Sequence, residues 1–397
     1  MASFVPALAR ASLRGTRRAL SRLARASPRP RSSTAASLSS AAADVSDVSD
    51  VSSPLPPGSF GAAIARPWAE ALVELSQPSA TDATLDLATG TGTCAFAVAD
   101  AIEEAKRWGP KTGAGALGGA PEGLVASVLG LDKDRHALKR ANEALLDLKS
   151  SRSSQGVRVA FAWADACHAD APWHEEKKRA FARAYCAFGL NRFADPETAC
   201  RRVRESLVPG GAFVVSVWAP LEKKTQPLFY AAYLAVVETI DLMETRRAAN
   251  ETWLVAAKIA AFAHFAAPFD WVEPASIEDT NDTNARAIDK LERLLIRAGF
   301  DAPDAATERA GHARFRDLEH AASACLSGAP FFKEMCVLQN GVFRDAFLER
   351  FEALLLDAAG DDLQFTRSFG SKDPKDKDAS LAVPLTAYFA HATAPWR

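Results

Sequence analysis

The chain has no run of about 18 apolar residues, so it carries no evident transmembrane helix. Leu228 to Val237 stops at Glu238, and the alanine-rich stretch from Ala256 to Phe269 is interrupted by Lys258 and His264. It also has no C-x-x-C pair. Its six cysteines, at 94, 167, 186, 200, 325 and 336, are scattered and have no histidine at ligand spacing. That excludes a recognisable zinc site or disulfide framework and leaves buried, reduced thiols as the expectation for all six. No Lys-Ser or Lys-Thr follows the glycines of residues 109–123, so that stretch reads as a surface insertion rather than a phosphate loop.

Acidic residues are missing from residues 1–43, which instead hold eight arginines. Arg10, Arg14, Arg17, Arg18, Arg22 and Arg25 recur every three or four positions, with Leu8, Leu13, Leu20 and Leu23 among them. This segment resembles an organelle transit peptide. Arginine at helical spacing favours a mitochondrial destination over a chloroplast one; the alternative is a basic tail for anionic surfaces. A threefold Asp-Val-Ser repeat and Pro54, Pro56 and Pro57 follow, so residues 44–59 read as a disordered linker. Without residues 1–43, Lys plus Arg falls from 47 to 39 against 49 acids, a net charge near −10. A chain that negative is a poor binder of phosphate backbones, so no nucleic acid is expected as partner.

From Ile64 onward the composition is that of a globular protein, 48% hydrophobic and 24% charged over the whole chain. Ile64, Trp68, Leu72, Val73 and Leu75 mark an amphipathic helix. Strands are expected at 84–87, 124–131, 157–162, 181–186 and 212–218, with helices at 94–105, 135–148 and 196–207 between them. Pro209-Gly210-Gly211 closes the last of these helices. The alternation predicts an α/β fold, a doubly wound and mostly parallel seven-stranded sheet with helices on both faces. Residues 60–220 would form its core. Residues 221–283 read as a helical lid over the site or as a packed helical pair. Residues 284–397 complete the sheet as an extended C-terminal part, with a helix at 285–298, strands at 305–315 and 385–392, and helices at 316–326 and 338–358. Residues 371–378 look like a charged hairpin loop.

Ligands of such sheets bind at the carboxyl ends of the strands. There the chain places Asp86, Ala88, Thr89, Gly90 and Gly92, where a strand hands over to a helix through glycines. Gly90-Thr91-Gly92-Thr93-Cys94-Ala95 satisfies the permissive dinucleotide pattern, so a nicotinamide cofactor is open on that motif alone. The carboxylates decide otherwise. Asp86 would repel a pyrophosphate and attract a cation. Asp132, with Lys133 after it, ends the next strand, where a carboxylate can accept from both ribose hydroxyls. Asp165 and Ala166 end the third, where an adenine amino group and ring nitrogen can be met. The combination favours S-adenosylmethionine, a sulfonium and ammonium cation.

At these residues the chain resembles the class I, Rossmann-like S-adenosylmethionine-dependent methyltransferases, small-molecule branch, near the ubiquinone/menaquinone C-methyltransferases. The resemblance rests on Leu85 to Thr93, Leu129 to Asp132, and Phe188 to Pro196 with Leu207 to Gly211. It implies that Asp86, Ala88, Gly90 and Gly92 surround the methionine part of the cofactor, that Asp132 holds the ribose, and that Asp165 and Ala166 hold the adenine. It also implies that Phe188 and Gly189 close the site beside the transferred methyl. The family commonly has glycine where Ala88 stands and Asp where Thr93 stands.

Methyl transfer from a sulfonium is an in-line displacement that depends on positioning. His168 and His264 are the candidate bases, each also readable as an ordinary surface or core histidine, so no catalytic residue is assigned. Tyr230, Tyr233 and Trp218 would line a hydrophobic pocket or the core. The leading expectation is methyl transfer to a small-molecule acceptor, with a nicotinamide-dependent oxidoreductase and a non-catalytic cofactor-binding assembly factor as alternatives. No metal is called for.

Overall fold

The computed structural model describes residues 49–50, 64–108, 126–151, 157–168, 179–245, 251–269, 280–327, 332, 341–365 and 381–396. The expected transit segment 1–43, the 109–123 insertion, the 371–378 loop and Cys336 lie outside the described residues.

Seven principal strands form one sheet: β1 (Ala83–Leu87), β2 (Ser127–Asp132), β3 (Arg158–Trp163), β4 (Phe181–Ala187), β5 (Leu207–Trp218), β6 (Asp304–Phe315) and β7 (Leu381–Thr393). Their spatial order is β3-β2-β1-β4-β5-β7-β6, with β1 to β5 parallel and β7 antiparallel to both of its neighbours. Two-residue strands extend it, Ser49–Asp50 beside β3 and Gln364–Phe365 beside β7. The first of these lies inside the segment expected to be a structureless linker; its Asp-Val-Ser repeat can supply an extended pair to an open edge.

The helices are α1 (Arg66–Ser76), α2 (Thr93–Trp108), α3 (Arg135–Ser151), α4 (Pro196–Ser206), α5 (Pro227–Thr245), α6 (Glu251–Ala261), α7 (Thr280–Arg297), α8 (Leu318–Ser327) and α9 (Val342–Ala359). Alternation along the strands divides the core in two. On β5, Val214 and Trp218 face one side with α1, α2, α5 and α9, while Phe213, Val215 and Val217 face the other with α4 and α7. The helical stripe of α7 falls as its spacing dictates: Ala287, Leu291, Leu294, Leu295 and Ala298 are all buried against the sheet. Each leucine so buried contributes roughly 2 kcal/mol.

Two strand boundaries and the role of one helix differ from expectation, for reasons the residues supply. β5 begins at Leu207, because Pro209-Gly210-Gly211 is absorbed into a strand with a register shift against β4, and Trp396 covers Gly210. β7 begins at Leu381, since Pro384 sits where β6 is its partner strand and β5 has not yet joined the pairing. α5 packs along α9 and buries Leu228, Phe229, Tyr233, Val236, Ile240 and Met243, so this part of 221–283 is core. The turns that follow α6, a π-turn at Phe262–Ala266 and a 3₁₀ turn at Ala267–Phe269, reach back to the strand ends.

Candidate functional site

The carboxyl end of β1 is built around a buried acid. Asp86 is 1% exposed, on the sheet face that α2 covers. The Thr89 hydroxyl donates to its Oδ2 at 2.5 Å, while Oδ1 has no partner in hydrogen-bonding geometry. Burial pushes its pKa up to about 7; Thr89, the Cys94 thiol and the Ala95 N–H pull the other way. Asp86 therefore lies beneath the glycine turn and braces it from below through Thr89.

Above it the chain turns sharply. Ala88, Gly90 and Gly92 all take positive φ, at 56°, 58° and 84°. Such a conformation costs a side chain about 1–2 kcal/mol, which is why two of the three are glycine. Gly92 has a second reason, since a Cβ there would stand 2.7 Å from the Phe161 ring. Gly90 is the opposite case: a Cβ there would meet nothing within 4 Å, so this backbone faces open space. Its N–H donates to Asp132 Oδ2 at 2.7 Å, tying the turn to the end of β2.

Asp132 also accepts from the Asp134 N–H through Oδ1 at 2.8 Å. Each of its oxygens thus carries one main-chain bond and keeps a lone pair for a hydroxyl. Lys133 next to it has an exposed side chain and takes part through its carbonyl, which accepts from the Trp163 indole N–H at 3.0 Å. Trp163 pairs in register with Asp132, is 53% exposed, and carries the Arg135 guanidinium 4.7 Å above its ring. At the end of β3, Asp165 Oδ1 accepts from the Cys167 N–H at 2.9 Å, and Ala166 is buried with its carbonyl taken by Arg202. Asp132 and Asp165 are therefore brought to neighbouring strand ends, half-buried beside the glycine turn.

The other side of the cleft is aromatic. Phe188, just past β4, has φ 57° and stacks on Trp218 at 3.6 Å with the planes 4° apart. Trp68 from α1 meets both rings edge-on, and Phe229 from α5 and Phe269 pack on Trp218. Gly189 fits below this stack for want of a side chain: a Cβ there would lie 2.6 Å from the Ala88 methyl and 2.9 Å from Cys186 Sγ. The turn after β4 is fastened to the later turns by Asn191 Nδ2, which donates to the Pro268 carbonyl. His264 stands there, within electrostatic reach of Arg192; burial first and that cation second lower its pKa to about 4. Arg192 still shows surface but is crowded by protein, which lowers its pKa, while Asp132 and Asp134 oppose the effect.

Several expectations change here. Cys94, Cys186, Cys200 and Cys325 are buried free thiols, but Cys167 is half-exposed, because it lies in the turn after β3 with its N–H on Asp165. Tyr233 and Trp218 are buried in the core, and Tyr230 is half-buried. His168 is exposed on the β3 side, away from the aromatic stack. Trp163, Arg192 and Phe269 went unread in the sequence as neighbours of the site, Phe229 was read only as an apolar residue of the helical region, and Trp68 was read as core. Register alone could have found Trp163, as the residue opposite Asp132. Among the described residues no cluster of side chains could hold a metal ion, and no helix is long and apolar enough to cross a membrane.

The donor set fits S-adenosylmethionine on its own chemistry. Open backbone at Gly90, carboxylates with spare lone pairs at Asp132 and Asp165, and the half-buried Phe188 ring lie along one line of strand ends. A search of the curated proteins found no match. Solved structures similar to this chain include the [4+2]-cyclase SpnF, at 13% identity over 87% of each chain with a TM-score of 0.40. The YcgJ protein of Bacillus subtilis is 12% identical over 83% of this chain and 98% of its own, with a TM-score of 0.36. Phosphoethanolamine N-methyltransferase 2 of Haemonchus contortus, crystallised with phosphomonomethylethanolamine and S-adenosylhomocysteine, is 13% identical over 83% and 52%, with a TM-score of 0.38. The model of the ubiE/COQ5 methyltransferase family matches residues 59–264, more than half of the chain. This decides between the cofactors and sets aside the oxidoreductase and assembly-factor alternatives: the chain belongs to the ubiE/COQ5 methyltransferase family and is an S-adenosylmethionine-dependent methyltransferase.

Proposed function

We propose that the acidic strand ends hold the adenosine end of the cofactor and that the aromatic side receives an apolar small-molecule acceptor. The observation that carries this reading is the division of the cleft: Asp132 and Asp165 on one side, the Phe188–Trp218 stack on the other. A ligand with hydroxyls at one end and a sulfonium further along has one favourable orientation in such a field. Asp132 takes the ribose hydroxyls, and Asp165 with the Ala166 N–H takes the adenine edge. The Gly90 and Gly92 backbone, Ala88 and Thr89 line the middle. Lys133 contributes main chain, and Phe188 stands at the reacting end.

When bound, the cofactor supplies a methyl carried on a positive sulfur. The chain's own part is to orient and to exclude water. The half-buried Phe188 ring borders the acceptor, and buried Trp218, stacked behind it, holds that ring in place. His264, neutral at physiological pH, is the imidazole available on that side to accept a proton from the acceptor. Residues 1–43 direct the protein to mitochondria in this reading, and fusing them to a fluorescent reporter tests that step.

Calorimetric titration with S-adenosylhomocysteine tests the site. Asp132→Ala is expected to weaken binding about 10- to 100-fold, the range for a lost hydrogen bond to a charged group. Asp165→Ala should weaken it less, since the adenine amino group offers it one hydrogen bond where the ribose offers Asp132 two hydroxyls. Binding to a folded Asp132→Ala protein within twofold of the parent overturns the assignment.

A further inference from the structure

The sheet ends differently at its two edges. Beside β3 lies the short strand Ser49–Asp50, whereas β6, at the far edge from the cofactor turn, pairs on one side only among the described residues. A strand in that position offers a row of main-chain N–H and C=O groups to any strand that meets it. Its pairing with β7 runs without interruption from Thr307 to Phe315, after a register shift that follows Asp304. Gly311 is the midpoint of that run.

The two faces of β6 are unlike. Arg309 lies over the Phe389 ring, Gly311 sits against Trp68, and Ala313 and Phe315 are buried, so the odd-numbered positions belong to the core side. Glu308, Ala310, His312 and Arg314, on the other face, are all exposed. Along this face the charges are placed symmetrically and with opposite sign, Glu308 and Arg314 standing equally far from Gly311. Reversed end for end, the face matches itself.

We infer that β6 is a dimerisation edge: two copies of the chain pair antiparallel through it, about a twofold axis at Gly311, so that one sheet continues through both. An axis perpendicular to the sheet keeps every side chain on its own face, and it must therefore pass through a residue. At Gly311 it sets Glu308 opposite Arg314 of the partner subunit, twice by symmetry, and engages the whole uninterrupted run. A centre one residue earlier sets Glu308 against histidine, and one residue later against Arg316 beyond the strand's end. Both leave Arg314 facing alanine. Opposite charges directly across a strand pair attract and like charges repel. The charges on β6 thus turn away strands that lack the matching pattern and admit a second copy.

Charge reversal and its rescue test the inference. Sedimentation velocity of the full-length protein over a concentration series is expected to show a monomer–dimer equilibrium. Glu308→Arg and Arg314→Glu, at exposed positions, should each leave the melting temperature unchanged and weaken the dimer about tenfold or more, because each turns two attractive pairs into two repulsive ones. The double variant restores both pairs with their signs exchanged and should return the dissociation constant to within about threefold of wild type. In the wild type, amide hydrogen exchange within 307–315 should slow as protein concentration rises. A wild type that stays monomeric, or grows past the dimer, overturns the inference. So do single variants that dimerise as well as wild type, and a double variant no better than the singles.

Discussion

The acidic half of the cleft and the aromatic half differ in how many pieces of chain it takes to make them. The first comes from three consecutive strand ends, β1, β2 and β3, each giving an acid within a residue or two of its last pair. Its groups are held by short main-chain bonds, Gly90 and Asp134 to Asp132 and Cys167 to Asp165. The second is assembled from α1, the turn after β4, the end of β5, α5, the 3₁₀ turn and β7, whose Trp68, Phe188, Trp218, Phe229, Phe269 and Phe389 touch only in the folded molecule. The acids are set in place by local geometry, the aromatic cluster by long-range packing.

If the halves are separable in this way, removing Trp218 should damage one and spare the other. Trp218→Ala is expected to cost about 3–5 kcal/mol of stability in urea unfolding, because four ring contacts collapse together. The protein that remains folded should still bind S-adenosylhomocysteine within about threefold. A parallel collapse of cofactor affinity would break the comparison.

On the acidic side, the sharpest probe is pH. Asp86 has a folded-state pKa of about 7 against 3.8 for the free side chain, so between these values the unfolded chain ionises first. Stability from this group is complete below pH 4 and lost as pH rises to 7, a fall on the order of 4 kcal/mol for a shift of about three units. Asp86→Asn should flatten unfolding free energy between pH 4 and 7 and leave the variant the more stable of the two at pH 8. A wild type whose stability does not decline across that interval would show the acid to be ionised throughout.

The smallest effect serves as a control. Asp195 caps α4 by accepting from the Thr198 N–H at 3.0 Å, in the segment that leaves the turn after β4. Asp195→Ala should cost about 1 kcal/mol and change neither cofactor binding nor its pH dependence. A larger loss of binding would mean that α4 transmits strain to Phe188 and Gly189.

The same contrast decides what could be read from the residues in order. Asp86, Gly90, Asp132 and Asp165 were legible because a strand and its turn are contiguous in sequence, so spacing carries position. Trp68 and Phe229 were not, since a helical pattern marks them as buried without saying which strand end they are buried against. Pro209-Gly210-Gly211 misled because its turn chemistry is genuine, yet β4 offers a partner that draws it into the sheet with a bulge. α5 could be lid or core until the position of α9 was known. Ala88 was visible as a departure from the family's glycine, but its φ and its hold on Gly189 exist only in three dimensions.

β7 bears on how the molecule is made. It is the last strand in sequence, yet it lies between β5 and β6 and pairs with both along most of its length. A ribosome releases β5 and β6 long before the strand that joins them, so the two must wait with their facing edges unsatisfied. Waiting edges invite the wrong neighbour. Folding of this protein is therefore committed late, by residues 381–393, and a chain interrupted before them would hold a nearly complete cofactor turn on a sheet that cannot close.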